Sequence, residues 1–141
     1  MPRIVMESAI AYVSVMVVFA ALDFCWLSLT GPSLYKPALG PMLADKVQVA
    51  PAMAFYLIYL AGLVYFAVWP ALTEGSWGRA GLNGVLLGLV AYATYDLTNQ
   101  ATLRIWSLKI TVLDLCWGAF ASAVAALASY FITTWAARAI A

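Results

Sequence analysis

Three aspartates, Asp23, Asp96 and Asp114, each lie one or two helical turns inside a long apolar stretch, in a chain with no histidine. Carboxyls in such positions can hold a cation, exchange a proton or hydrogen-bond one helix to another. Left as a bare anion, a charged side chain at the centre of a membrane helix costs about 2.5–3.5 kcal/mol, and less near the ends. Three such groups together therefore need partners. Tyr56, Tyr59, Tyr92, Tyr95, Thr98, Asn99 and Thr102 are hydroxyl and amide donors at the same level, and Trp26 and Trp117 flank the acids. Arg104 and Lys109 are candidate countercharges. A bound cation or proton is the other way to neutralise the group. The carboxylates with Asn99 also present the oxygen ligands that Mg²⁺ prefers, although no dense acidic motif lies on one helix.

The elements that position these residues follow from where charge is missing. No charged residue falls between Glu7 and Asp23, Lys46 and Glu74, Arg79 and Asp96, or Asp114 and Arg138. A membrane crossing needs about 20 mostly apolar residues. The expected architecture is an all-α, four-transmembrane-helix bundle forming one membrane domain, with helices at about 8–29, 50–70, 80–102 and 110–136. Gly31, Pro32, Pro37, Gly40 and Pro41 mark residues 30–49 as a helix-breaking turn. A second break follows Pro70 and includes Glu74, Gly75 and Gly78. A third lies near Arg104 to Lys109, where Trp106 suits the membrane interface. Pro51 stands at a helix start, where its missing N–H costs nothing. The first apolar run reads as an anchor that stays, with no cleavage signal before its polar break.

Alternating helix direction puts the end of helix 1, the start of helix 2, the end of helix 3 and the start of helix 4 at one side of the membrane. All three aspartates therefore meet there. Tyr92, Tyr95, Asp96 and Asn99 share a face of helix 3, beside the small residues Gly81, Gly84 and Gly88. Asp114 is followed at helical spacing by Gly118, Ala121, Ser122, Ala125 and Ser129. Small faces are the ones that pack in membranes, so the acids are expected to point inward. Leu22-Asp23-Phe24-Cys25-Trp26 is echoed by Leu113-Asp114-Leu115-Cys116-Trp117. Both copies fall at the same membrane end, unlike an inverted transporter repeat.

Composition sets the class. The chain is 66% hydrophobic and 9% charged, against about 45–50% and about 25% for soluble domains. A net charge of +1 without a basic run excludes nucleic acid as a partner. Cys25 and Cys116 lie in apolar stretches without CxxC spacing and read as small hydrophobic residues. Arg3, Arg79 and Arg138 fall on one side, with Lys36, Lys46, Arg104 and Lys109 on the other, a balance that assigns no orientation.

The segments Leu22 to Trp26, Phe55-Tyr56-Leu57-Ile58-Tyr59, Pro70-Ala71-Leu72, Tyr92 to Leu103 and Asp114 to Gly118 resemble the bacterial membrane-protein family DUF2177. The resemblance runs from about residue 20 to 120 and implies a small multi-pass protein of the bacterial inner membrane. It implies no reaction and names no cofactor. Three functions remain open. The first is a binding or transport site for a small ligand or lipid headgroup, linked to protons or cations at the aspartates. The second is an accessory or scaffold subunit of a larger membrane complex. The third is a lipid-modifying membrane enzyme, for which no nucleophile paired with a base is visible. The expected partners are membrane lipid and a second copy or larger membrane complex.

Overall fold

The computed structural model describes residues 3–140, and every regular element among them is helical. Helix α1 (Arg3–Thr30) passes through a wide turn over Gly31–Tyr35 into α2 (Lys36–Leu39) and a tight turn over Gly40–Met42. Helix α3 (Val49–Leu63) continues through a wide turn over Val64–Val68 into α4 (Trp69–Glu74). Helices α5 (Trp77–Thr102) and α6 (Leu108–Ile140) complete the chain. Three continuous runs, Arg3–Met42, Val49–Glu74 and Leu108–Ile140, are long and apolar enough to cross a membrane. Helix α5 has 26 residues, but Arg79, Asn83, Asp96, Asn99 and Gln100 make it less apolar.

Two expected breaks are present but begin later than expected, at Leu43 and at Gly75. Residues 30–49 read as a turn, yet the chain stays helical to Met42. Pro32, Pro37 and Pro41 each sit where the winding of this run changes, from regular to wide, back to regular and then to tight, and a change of winding is how a helix accommodates a ring that cannot donate. The wide turn, closed by the Lys36 N–H donating to the Gly31 carbonyl, makes room for the rings. The hydroxyls of Ser28, Thr30 and Ser33 donate to carbonyls one turn back.

Pro70 is treated the same way. It cannot donate to the Phe66 carbonyl, so the preceding turn widens and the Trp69 N–H reaches Val64. The Nδ2 of Asn83 on α5 then donates to the orphaned Phe66 carbonyl at 2.8 Å. The helix runs on to Glu74 and stops at Gly75, whose φ of 67° is the left-handed conformation that glycine adopts without strain.

The interior joins an apolar core around Phe19, Leu60 and Leu63 to small and polar residues along α5 and α6, and the outside is large and apolar. Helices α5 and α6 run antiparallel in close contact. A Cβ at Gly84 would stand 2.8 Å from Ala123 Cα, and one at Gly88 would collide with the Gly118 carbonyl. Helix α1 crosses α6 where Ser14 donates to Ser129 at 2.9 Å and Ser129 donates to the Ala11 carbonyl at 3.0 Å. Phe24, Leu29, Ile58, Val90 and Trp135 face outward and exposed. Lipid, not water, suits such a surface.

Candidate functional site

Each aspartate extends the buried stripe of its own helix. On α1 the stripe is Ala11, Val15, Phe19 and Asp23, and on α5 it is Ala80, Gly84, Gly88 and Asp96. On α6 it is Asp114, Gly118, Ser122, Ala126 and Ser129 or Tyr130. Four-residue steps keep these side chains on one slowly turning face, so the packing that joins the helices also carries the carboxyls inward. Asp23, Asp96 and Asp114 are 8%, 0% and 7% exposed. They line one cavity of about 630 Å³ at the bundle end.

The two Asp-x-Cys-Trp echoes meet face to face there. The rings of Trp26 and Trp117 stack with centroids 4.5 Å apart and planes 7° from parallel. Trp117 is directed at the other copy's acid, Asp23, and Trp26 is linked to Asp114 through Tyr35. Trp117 Nε1 approaches Asp23 Oδ1 at 3.4 Å. Trp26 Nε1 donates to the Tyr35 hydroxyl at 3.0 Å, which in turn donates to Asp114 Oδ1. Asp23 also accepts a hydrogen bond from the Tyr56 hydroxyl. The two flanking acids thus have donors. Asp96 receives no hydrogen bond from a tyrosine, a tryptophan or the backbone; its carboxyl instead faces that of Asp114, within hydrogen-bonding contact whenever one of the two holds a proton.

The remaining wall is aromatic and aliphatic. Tyr92 and Tyr95 come from α5, Phe55 from α3, and Leu27 from α1. Tyr92 lies over Gly118, where any side chain would strike its ring, and packs edge-on against Tyr59 at 6.4 Å. Tyr59 itself bonds to Ser122 at 2.6 Å and supports the wall from behind.

Not every expected residue arrives. Thr98 is exposed and Asn99 half-buried, and neither borders the cavity. They lie on the last turn of α5, beyond Asp96. Arg104 is exposed on the segment after α5, and neither it nor Lys109 pairs with an aspartate; the ion pairs among the described residues are Arg3–Glu7 and Glu74–Arg79. Five cavity residues, Leu27, Tyr35, Phe55, Ala91 and Thr94, are absent from the set expected from sequence, and Tyr35 and Phe55 are the aromatic ones. Phe55 is visible only as part of the aromatic segment Phe55 to Tyr59. Tyr35 is hidden by the prolines around it, which read as a loop. The usable signal was that Pro32, Pro37 and Pro41 are spaced so that each can fall where the winding of one run changes.

An all-helical chain with several apolar runs of spanning length, an apolar exterior and an acid-lined interior is an integral membrane protein. It belongs to the DUF2177 family, described as a predicted membrane protein, whose model matches residues 8–131. No curated protein and no solved structure matches the chain.

Proposed function

We propose that the chain crosses the membrane four times and uses the acidic end of the bundle as a binding or transport site for a small ligand or lipid headgroup, linked to cations or protons. Helix α5 supports the fourth crossing. Its 26 residues reach about 39 Å at about 1.5 Å per residue, more than the hydrocarbon core of about 30 Å. Its polar residues are also accommodated, since Asn83 bonds to Phe66 and Asp96 faces the interior.

The observation that carries the site is Asp96. Ser14 and Ser129, which join α1 to α6, are hydrogen-bonded to one another. The other buried side-chain polar atoms without a partner among the described residues, Thr133 Oγ1 and Gln100 Oε1, carry no charge and do not line the acid-bordered cavity. Asp96 is fully buried at the edge of a cavity of ligand size, facing the Asp114 carboxyl and with no donor from any other residue. A group held at that cost has a use outside the resting bundle.

Native mass spectrometry of the wild type and the Asp114→Asn variant in mild detergent tests the reading. A defined non-protein mass retained by the wild type and lost in the variant is expected. Identical spectra without retained mass, together with a less stable variant, would mean that the acids chiefly hold helices together.

A further inference from the structure

We infer that the ligand of this cavity is an organic ammonium carrying an apolar group, its charged head at the carboxyl cluster of Asp23, Asp96 and Asp114 and its apolar part against the tryptophan and tyrosine wall. The inference rests on the binding-site reading above and names the chemistry of its ligand.

Charge comes first. Three carboxyls border the cavity and no lysine or arginine does. The only ion pairs among the described residues, Arg3–Glu7 and Glu74–Arg79, involve none of these aspartates. Asp23 and Asp114 are steadied by tyrosine hydroxyls, which leaves Asp96 facing the Asp114 carboxyl with no other donor. A ligand that donates N–H or brings positive charge satisfies it, whereas an anion adds to the repulsion.

Size and geometry come next. Among the described residues no three acidic, cysteine or histidine side chains are grouped to hold one metal ion. A cavity of about 630 Å³ is also far larger than an ion and its water, and lies in the range of organic ligands. Its walls are mainly Trp26, Trp117, Tyr92, Tyr95 and Phe55. Aromatic faces attract ammonium groups through their quadrupole and receive alkyl chains as readily. Carboxylate plus aromatic wall is the combination that selects an ammonium over a neutral alcohol of the same length.

Calorimetric titration of the protein in dodecyl maltoside, corrected with empty micelles, tests this with n-octylammonium, n-octanol and octanoate. Octylammonium should bind about ten- to hundredfold tighter than the other two, the factor expected for a charged hydrogen bond. That preference should vanish in Asp96→Asn and survive in Glu74→Gln, which lies at the other end of the bundle. The wild-type comparison needs no variant to fold. Octanol binding as tightly as octylammonium, or octanoate binding tightest, would overturn the ammonium and leave the ligand site standing. No binding of any probe, with a retained ligand of other chemistry in the native spectra, would do the same. No binding and no retained mass would remove both. Dihexanoyl phosphatidylethanolamine titrated beside dihexanoyl phosphatidylglycerol identifies the source. Tighter binding of the former than of octylammonium assigns the site to a lipid headgroup, and the reverse assigns it to a free amine.

Discussion

The Tyr35 hydroxyl is the link between the two echoed motifs, and Tyr35→Phe removes it while leaving the ring. The hydroxyl accepts from Trp26 Nε1 and donates to Asp114 Oδ1. Two ordinary interhelical hydrogen bonds in a membrane protein are together worth about 1.2 kcal/mol, at about 0.6 kcal/mol each. If the acceptor is a carboxylate, that one bond rises to about 1.5–3 kcal/mol. Tyr35 is only partly buried, so water recovers part of the loss, and a net cost of about 1–2.5 kcal/mol is expected. Unfolding in mixed dodecyl maltoside and SDS micelles measures it, and the near-ultraviolet circular dichroism of the Trp26–Trp117 stack should weaken in the same variant. The same substitution made in an Asp114→Ala background should cost markedly less. A cost below about 0.3 kcal/mol, the usual error of additivity, would refute the reasoning. So would equal costs in the two backgrounds.

Other consequences can be checked in the same micelles. Gly118→Ala places a Cβ against the Tyr92 ring and should destabilise by about 1–3 kcal/mol, whereas Gly31→Ala, with nothing within 4 Å, should be close to neutral in unfolding titrations. Asn83→Leu leaves the Phe66 carbonyl without its donor and should cost about 1 kcal/mol by the same measurement. Four crossings put residues 79 and 104 on opposite sides of the membrane. Single cysteines there, in a chain with Cys25 and Cys116 replaced by serine, should therefore react with an impermeant thiol reagent from opposite faces of a vesicle; reaction from the same face would mean that α5 does not cross.

Much of the interior was legible because membrane packing leaves a simple pattern. The small-residue stripe on α6 and its continuation from Asp114 are both visible as four-residue steps, and the structure buries them together. The gathering of the aspartates at one end followed from counting helix directions. What stayed hidden depends on contacts distant in sequence. Nothing local shows that Asn83 repairs the gap left by Pro70, so the second helix seemed to end there. Nor does an echoed pentapeptide reveal that its tryptophans stack, one reaching the other copy's acid directly and the other through Tyr35. The prolines after Gly31 looked like breaks because their effect depends on whether each falls at a change of winding or ends the helix, and that is decided by the whole run from Arg3 to Met42.

Asp96→Leu is the most direct test, because leucine keeps the branched shape and abandons the charge. A buried polar group short of donors costs about 1–3 kcal/mol, and stability given up at a functional site is regained when the group is removed. The ligand-free variant should therefore unfold at higher denaturant than the ligand-free wild type and retain no ligand in native mass spectrometry. A variant that is less stable than the wild type, yet holds the same ligand, would show Asp96 to be part of the scaffold and contradict its assignment to a binding site.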